Sequence, residues 1–531
     1  MPSASDPPPV GGEGPTDLFV IGGGVNGCAI ARDAARRGLS VRLAEAGDLA
    51  QATSSASSKL FHGGLRYLEY LELRLVREAL HEREILLRMM PHIARPMRFV
   101  LPLDPGLRIE DQTPVGRLFR WLPGLRGPRP APMLRAGLYL YDHLGGRGVL
   151  EGTRSLDLSA GAEGEALRPD LRRAFEYSDV QVDDARLVVL TARDASARGA
   201  DILTRAQVTD ARVVDGLWQV TLTDGRRFAA RALVDAAGPW AGQVIRGVAH
   251  QRAHGDVRLV RGSHLVTRRL CPHDKAYILQ GADGRIVFVL PWLGDFTMIG
   301  TTDIDHKGDP ADAACSAQEQ EYLLAFVNRW LRRPVTARDV IWTFSGVRPL
   351  YDDGARSASA ISRDYVLEMV PAPAPCLSIF GGKLTTHRRL AEAALAKLLP
   401  VLNRQGADWT GQGAPLPGGD FPWDGLQVLT DAALEDFPFL GAGAAARMVR
   451  AYGTQLWAML DGVGDPGQDF GAGLREVELD WMAREEWART AEDALFRRSK
   501  LGLYLDGAQR AAVADWFGAT TDPASTTGAM H

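Results

Sequence analysis

The chain has 531 residues, enough for roughly two to four domains and a sizeable core. Apolar residues make up 46% and charged residues 24%, which excludes a wholly disordered chain. Lys plus Arg number 61 against 65 Asp plus Glu, a formal net charge of −4. There is no basic excess to draw the whole protein onto nucleic acid, so a bound anion must meet a local basic cluster. Cys28, Cys271, Cys315 and Cys376 are scattered and form no C-x-x-C pair. That argues against a disulfide framework and a thiolate metal site, predicts no bound metal, and suits a reducing cytosol. No run of about 18 apolar residues is present to span a bilayer. The first sixteen residues lack the basic start and apolar stretch of a secretory signal and read as a flexible tail.

Ordered structure is expected from Asp17. DLFVIGGGVNGCAIARDAARRGLSVRLAEAG reads as strand, glycine turn, helix and second strand. The first strand (Leu18 to Ile21) is short and wholly apolar, as in a parallel sheet covered on both faces. From Asn26 to Arg37 small and apolar residues recur at helical spacing, and Gly38 supplies the stop. A charged helix is predicted from Tyr70 to Met90, with Leu and Ile on one stripe and Arg and Glu on the other. From Asp256 to Ile304 the pattern turns to period-2 alternation with Gly, Pro and Asp punctuation, predicting an antiparallel substrate sheet over about 256–350, interleaved with the first domain (17–410). Glu319 to Leu331 reads as a helix. Residues 411–420 form the densest Gly/Pro linker, and an all-helical domain is expected over 421–531, with Trp457, Trp481, Trp487 and Trp516 as core anchors.

Gly22-x-Gly24-x-x-Gly27 follows a strand and opens a helix. Gly22 permits the tight turn, Gly24 lets the backbone approach a pyrophosphate, and Gly27 allows close helix–strand packing. The helix N-terminus offers unpaired N–H groups and a positive dipole end. Glu45 closes the second strand, where a carboxylate binds ribose hydroxyls. These features predict a Rossmann-like dinucleotide-binding domain, and by themselves leave NAD and FAD open. The loop ATSSASSKLFHGGLR (52–66) is packed with small hydroxyl and glycine residues, which lets backbone and Ser hydroxyls approach a flat ring, with Lys59 and His62 as polar groups beside it.

EAGDLA (45–50), TSSASSKLFHGGLRYLE, PMRFVLP, LYLYDHLG (138–145), FEYSDVQVDDARLV (175–188), VDAAGPWA (234–241), KAYILQ, RIVFVLPW, GTTD (300–303), SGVRPL (345–350) and SIFGGKLTTHR (378–388) together resemble the FAD-dependent glycerol-3-phosphate dehydrogenases. The resemblance covers nearly the whole chain after the tail, including EEWARTAEDALFRRSKLGLYL near the C-terminus. It implies FAD as cofactor, contacted by Gly22, Gly24, Gly27, Glu45, Thr53, Ser54, Ser58, Lys59, His62, Gly63, Gly64, Gly238, Gly382, Lys383, Leu384 and Thr385. It implies oxidation of sn-glycerol 3-phosphate to dihydroxyacetone phosphate by hydride transfer to the flavin N5. Arg66, Tyr67, Arg348 and Lys383 are the implied substrate-binding residues, and an Arg fork suits phosphate oxygens. Which of them meets the phosphate and which the reacting carbon is left open. His62 is the first candidate for the base that takes the C2 hydroxyl proton and His264 the second; a positive residue lowering the hydroxyl's pKa is the alternative. Arg66, Arg348 and Lys383 join His62 as the catalytic set.

The turn Gly381 to Thr386 precedes a helix from about Thr386 to Leu399, whose dipole would stabilise reduced flavin. His387 departs from the family, where a Tyr is expected. Thr301 to Asp303 lie at a strand end, where a plain turn and an approach to the ring are both open. The family implies a membrane quinone as electron acceptor, with oxygen the acceptor of a related branch. Residues 115–128 (VGRLFRWLPGLRGP) mix Leu, Phe and Trp with Arg and no acids, a composition fitting an anionic membrane surface, against a solvated basic loop. The expected location is cytoplasmic, peripheral on the inner face of the membrane, and a homodimer is left open. A substrate other than a phosphorylated alcohol, or a flavin-binding sensor without turnover, are the competing readings.

Overall fold

The computed structural model describes residues 14–65, 68, 72–106, 131–146, 148–251, 257–282, 284–351, 365–405 and 413–521. The predicted tail (apart from residues 14–16), Arg66, Tyr67 and the basic segment 115–128 lie outside the described residues.

The nucleotide-type sheet has a parallel centre in the spatial order Cys376–Phe380, Arg227–Asp235, Thr16–Ile21, Val41–Ala44, Asp201–Leu203. Val366–Val370 closes one edge antiparallel, and the hairpin Val208–Val214/Leu217–Leu222 continues from the start of Arg227–Asp235. The first strand is apolar on both faces because both faces are covered. Leu18 and Val20 enter a core shared with helices Val25–Arg36, Asp184–Ser196 and His387–Val401. Phe19 and Ile21 alternate into a second core built around Trp218. Each large apolar side chain so buried contributes about 1.5–3 kcal/mol.

The second sheet has ten strands and is antiparallel apart from one parallel junction between Ala276–Gln280 and Ala94–Leu103. One end of it, Val257–Arg268 between Phe296–Gly300 and the edge strand Val340–Tyr351, falls in the stretch where an antiparallel sheet was predicted. The sheet is not confined to 256–350: Leu60–Phe61, Ala94–Leu103, Arg154–Asp157 and Arg173–Val182 complete it. The central strand of that group carries no legible alternation, since Ala174–Val182 are buried throughout.

Helix boundaries shift by a few residues from the sequence reading: Val25–Arg36, Leu73–Met89 and Ala317–Asn328. The C-terminal region is helical, as expected, apart from the short hairpin Asp469–Gly471/Leu474–Arg475, and has its own core. Trp481 is buried there and Trp457 and Trp516 pack at its edge, whereas Trp487 packs against the nucleotide-domain core. The described part of the linker, 413–420, has no regular structure yet is held in place: Leu416 is buried and its N–H donates to the Met89 carbonyl. Among the described residues, no helix is long and apolar enough to cross a membrane.

Candidate functional site

The glycine turn between the first strand and helix Val25–Arg36 is shaped by backbone contact. Gly22 has φ +112°, and a Cβ there would lie 2.5 Å from the Ala236 carbonyl oxygen. A Cβ on Gly27 would run into the Gly22 carbonyl, whereas one on Gly24 would meet only the Ser54 hydroxyl at 3.2 Å. Glu45 lies just past its strand, with Oε2 accepting from Gly23 N–H at 2.6 Å and Oε1 from Gly47 N–H at 2.8 Å. Burial raises its pKa, and those two amides act against the rise. The Ser54 hydroxyl accepts from Val25 N–H at 3.0 Å, at the mouth of the helix. Asn26 donates to the Gly381 carbonyl at 3.2 Å, which ties the second glycine turn to the first, and its buried Oδ1 has no protein partner.

The serine loop lies against the second sheet. Thr53 donates to the Val347 carbonyl at 2.6 Å, and the Ser58 hydroxyl is 2.9 Å from His264 Nε2. Lys59 sits in the left-handed region (φ +58°) with its ammonium 2.8 Å from the Asp184 carboxylate, and both groups are buried. That strained backbone, worth about 1–3 kcal/mol, persists because the ion pair and the Ser55 carbonyl hold the side chain. Thr385 accepts from His62 N–H at 3.3 Å, so the predicted flavin segments around 62 and 385 meet. Gly63 N–H donates to the Tyr141 hydroxyl at 2.8 Å; Tyr141 in turn donates to Asp179, which Arg83 pairs at 2.7 Å. Gly64 follows at φ +73°, and Gly238 at φ +57° has open space where a Cβ would sit.

On the substrate side, Arg348 donates to Asp303 at 2.5 Å, to the Thr302 carbonyl and to the Thr301 hydroxyl at 3.1 Å. Glu319 braces this corner from behind, accepting from Ser263 at 2.7 Å, Thr302 at 2.8 Å and Arg261 at 2.7 Å. His264 is buried and stacks on Phe344 with centroids 4.7 Å apart. Burial first, then the charges of Arg348 and Lys59, push its pKa well below the usual imidazole range, so it is neutral. Lys383 is half-buried at the start of the turn Leu384–Thr386. His387, where an aromatic Tyr was expected, is buried with Nδ1 2.6 Å from the Leu384 carbonyl, and burial holds its pKa at about 4.

The family model described as FAD dependent oxidoreductase matches residues 17–388. The chain belongs to the FAD-dependent oxidoreductases. It is 48% identical to a glycerol-3-phosphate dehydrogenase of Pseudomonas aeruginosa over 93% of each chain. It is 45% identical to a D-erythritol 1-phosphate dehydrogenase of Brucella abortus, covering 94% of this chain and 97% of that one. A glycerol-3-phosphate dehydrogenase from Bacillus halodurans, solved with FAD, superposes with a TM-score of 0.73 at 27% identity, covering 95% of this chain and 90% of that chain.

An FAD-dependent oxidoreductase must hold a pyrophosphate and a flavin ring, and the residues here fit that group. A side chain at Gly22 or Gly27 would fill the turn, the helix mouth carries no acidic residue in its first turn, and Asn26 Oδ1 is left for a donor from outside the protein. Of the predicted set, the structure brings Gly22, Gly24, Gly27, Glu45 and Ser54 to one end of the nucleotide sheet, and Ser58, His62 and Thr385 to the junction between the sheets. The Lys59 ammonium is committed to Asp184. Sequence reasoning assigned no role to Tyr141, Asp179, Asp184 or Glu319, and it placed Asp303 at a strand end with an approach to the ring open, not as the partner of Arg348. The available signal was a carboxylate inside an apolar strand or at a helix start, which must find a partner when buried.

Proposed function

We propose that this FAD-dependent oxidoreductase oxidises sn-glycerol 3-phosphate at C2 to dihydroxyacetone phosphate. The carrying observation is its 48% identity, over 93% of each chain, to a protein named glycerol-3-phosphate dehydrogenase. The anchored fork of Arg348 beside the serine loop supports the same reading. Arg348, with Lys383, Arg66 and Tyr67, binds the substrate; the fixed guanidinium loses little entropy on meeting phosphate oxygens. His62 accepts the C2 hydroxyl proton, because His264 spends its Nε2 on Ser58 and its burial disfavours the imidazolium that taking a proton would create. Bound FAD supplies the hydride acceptor. The cofactor contacts are those predicted for Gly22, Gly24, Gly27, Glu45, Thr53, Ser54, Ser58, His62, Gly63, Gly64, Gly238, Gly382, Lys383, Leu384 and Thr385; for Lys59 we propose an indirect role, through Asp184.

Electrons pass on to a membrane quinone, with the chain peripheral on the inner face of the cytoplasmic membrane and 115–128 against anionic lipid. The relative from Brucella abortus favours a second reading, a longer phosphorylated polyol as substrate. Steady-state kcat/KM with an artificial electron acceptor discriminates them. Glycerol 3-phosphate should exceed D-erythritol 1-phosphate, and unphosphorylated glycerol should be on the order of 1,000-fold poorer, as for a site that loses its charge-assisted bonds. A preference for D-erythritol 1-phosphate would replace the substrate, and indifference to the phosphate would overturn both readings.

A further inference from the structure

The nucleotide end of the site is gripped by a segment from outside the family-matched region. Arg497 and Arg498 both donate to the buried carboxylate of Asp48, at 2.6 Å from Arg497 Nε and at 2.6 and 2.7 Å from the two Arg498 nitrogens. Asp48 belongs to the turn that follows Glu45. Two residues on, Ala50 N–H donates to the Gly23 carbonyl at 3.1 Å, while Glu45 accepts from Gly23 N–H. Arg205 fixes the same turn from the side, through its N–H to the Gly47 carbonyl and its guanidinium to Asp493 at 2.5 Å. At the far end of the loop, Lys500, also in the left-handed region at φ +60°, pairs with Asp183. The next residue, Asp184, holds Lys59 at 2.8 Å and the Ser57 hydroxyl at 2.7 Å. One short segment, Asp493–Lys500, therefore holds the Asp48 end of the 45–59 loop directly and braces its Lys59 end through Asp183 and Asp184; the loop carries Glu45, Ser54 and Ser58.

We propose that the C-terminal helical domain sets the FAD affinity of the nucleotide fold: Asp493–Lys500 is a clamp, and Arg498 and Lys500 are positioning residues for the 45–59 loop. The loop has no regular secondary structure beyond the single turn Thr53–Ser55, so without outside anchors it would sample many conformations and ordering it would subtract from binding. Anchored at Asp48 and Lys59, it presents Glu45 to Gly23 and Ser54 to the helix mouth before ligand arrives. The inference rests on the FAD-binding reading and adds to it a role for residues beyond 388.

The test is titration of FAD into the full-length apoprotein, followed by flavin fluorescence, at a temperature where far-UV circular dichroism shows each variant folded. Arg498→Met leaves Asp48 paired with Arg497, and Lys500→Met leaves Asp183 with the Arg186 N–H, so neither strands a buried carboxylate. Each should weaken FAD binding by about tenfold, the loss expected for one charge-assisted bond that preorganises a site. Arg498→Lys should recover part of the loss. If Arg498→Met does not fold, Lys500→Met decides alone. Unchanged FAD affinity in the folded variants would overturn the clamp, whatever happens to their melting temperatures. A wild-type chain that binds no FAD would instead defeat the cofactor assignment on which the inference stands.

Discussion

The two ends of the site are built from different material. At the nucleotide end the geometry is set by main chain: Gly22 faces the Ala236 carbonyl, Gly27 faces Gly22, and Glu45 bonds two backbone amides. At the substrate end it is set by side chains bonded to one another: Arg348 on Asp303, Thr302 on Glu319, His264 on Ser58. A main-chain site fails all at once when an atom is added where there is no room. A side-chain network fails in parts, and its losses should appear in substrate binding before they appear in folding or cofactor content.

The largest effect is expected from Gly27→Val. Its Cβ would collide with backbone, so the purified protein should be colourless or fail to fold; Gly24→Ala, which meets only a turnable hydroxyl of the protein, should fold but bind FAD more weakly, because its methyl would stand where the backbone approaches the pyrophosphate. A fully flavin-loaded Gly27→Val would erase the distinction between the two ends. Next, Arg348→Met should raise KM for glycerol 3-phosphate on the order of 100-fold, the equivalent of about 2–3 kcal/mol, with flavin content unchanged. Loss of flavin with an unchanged KM would move Arg348 to the other side of the comparison. Glu319→Gln keeps the shape of the brace behind Thr302 but removes its charge, and should raise KM about tenfold with a smaller change in kcat. Equal falls in kcat and kcat/KM would instead mark Glu319 as acting in the transition state.

The smallest effect concerns Asp235, at the end of a strand beneath the nucleotide end. Burial raises its pKa from 3.8 to about 7, opposed by one bond from Ala237 N–H at 3.1 Å. The folded state therefore keeps a proton that the unfolded chain releases between about pH 4 and 7. Its stabilisation is full below about pH 4 and is lost as pH rises through about 7, by roughly 1.4 kcal/mol per pH unit. Asp235→Asn retains an acceptor for Ala237 but no titrating proton. The stability of the natural protein relative to this variant should accordingly grow as pH falls from about 7 to 4 in paired urea unfolding curves. His92 and His387, depressed to about 3 and 4 by burial, lose stability as pH falls below their unfolded value, and they do so equally in both proteins. A pH-independent difference would show that Asp235 is ionised in the fold.

The same contrast explains what was legible in the sequence. Gly22, Gly24, Gly27 and Glu45 announce themselves because backbone-built sites demand particular residues at fixed spacing. Strand alternation over 257–300 was readable because some of those strands keep a partly exposed face, whereas Arg173–Val182 was not, being buried on both. The side-chain partners of the substrate end, and those of the clamp on the nucleotide end, come from distant stretches. Asp303 and Arg348 are 45 residues apart, Ser58 and His264 are 206 apart, and Asp48 and Arg498 are 450 apart. Nothing local distinguishes such an Asp or Arg from an ordinary surface charge; what reveals it is burial with a partner, a property of the folded chain. His387 shows the converse: it departs from the Tyr expected by resemblance and is met by a helix-start carbonyl.

The central claim is that the two ends cooperate, one holding FAD and the other presenting glycerol 3-phosphate to it. Its most direct test is to purify the protein, record the visible spectrum, and add glycerol 3-phosphate with oxygen excluded. The account predicts a flavin band that bleaches on addition of the substrate and returns when a quinone is supplied. A flavin band that persists unchanged in the presence of glycerol 3-phosphate would contradict it.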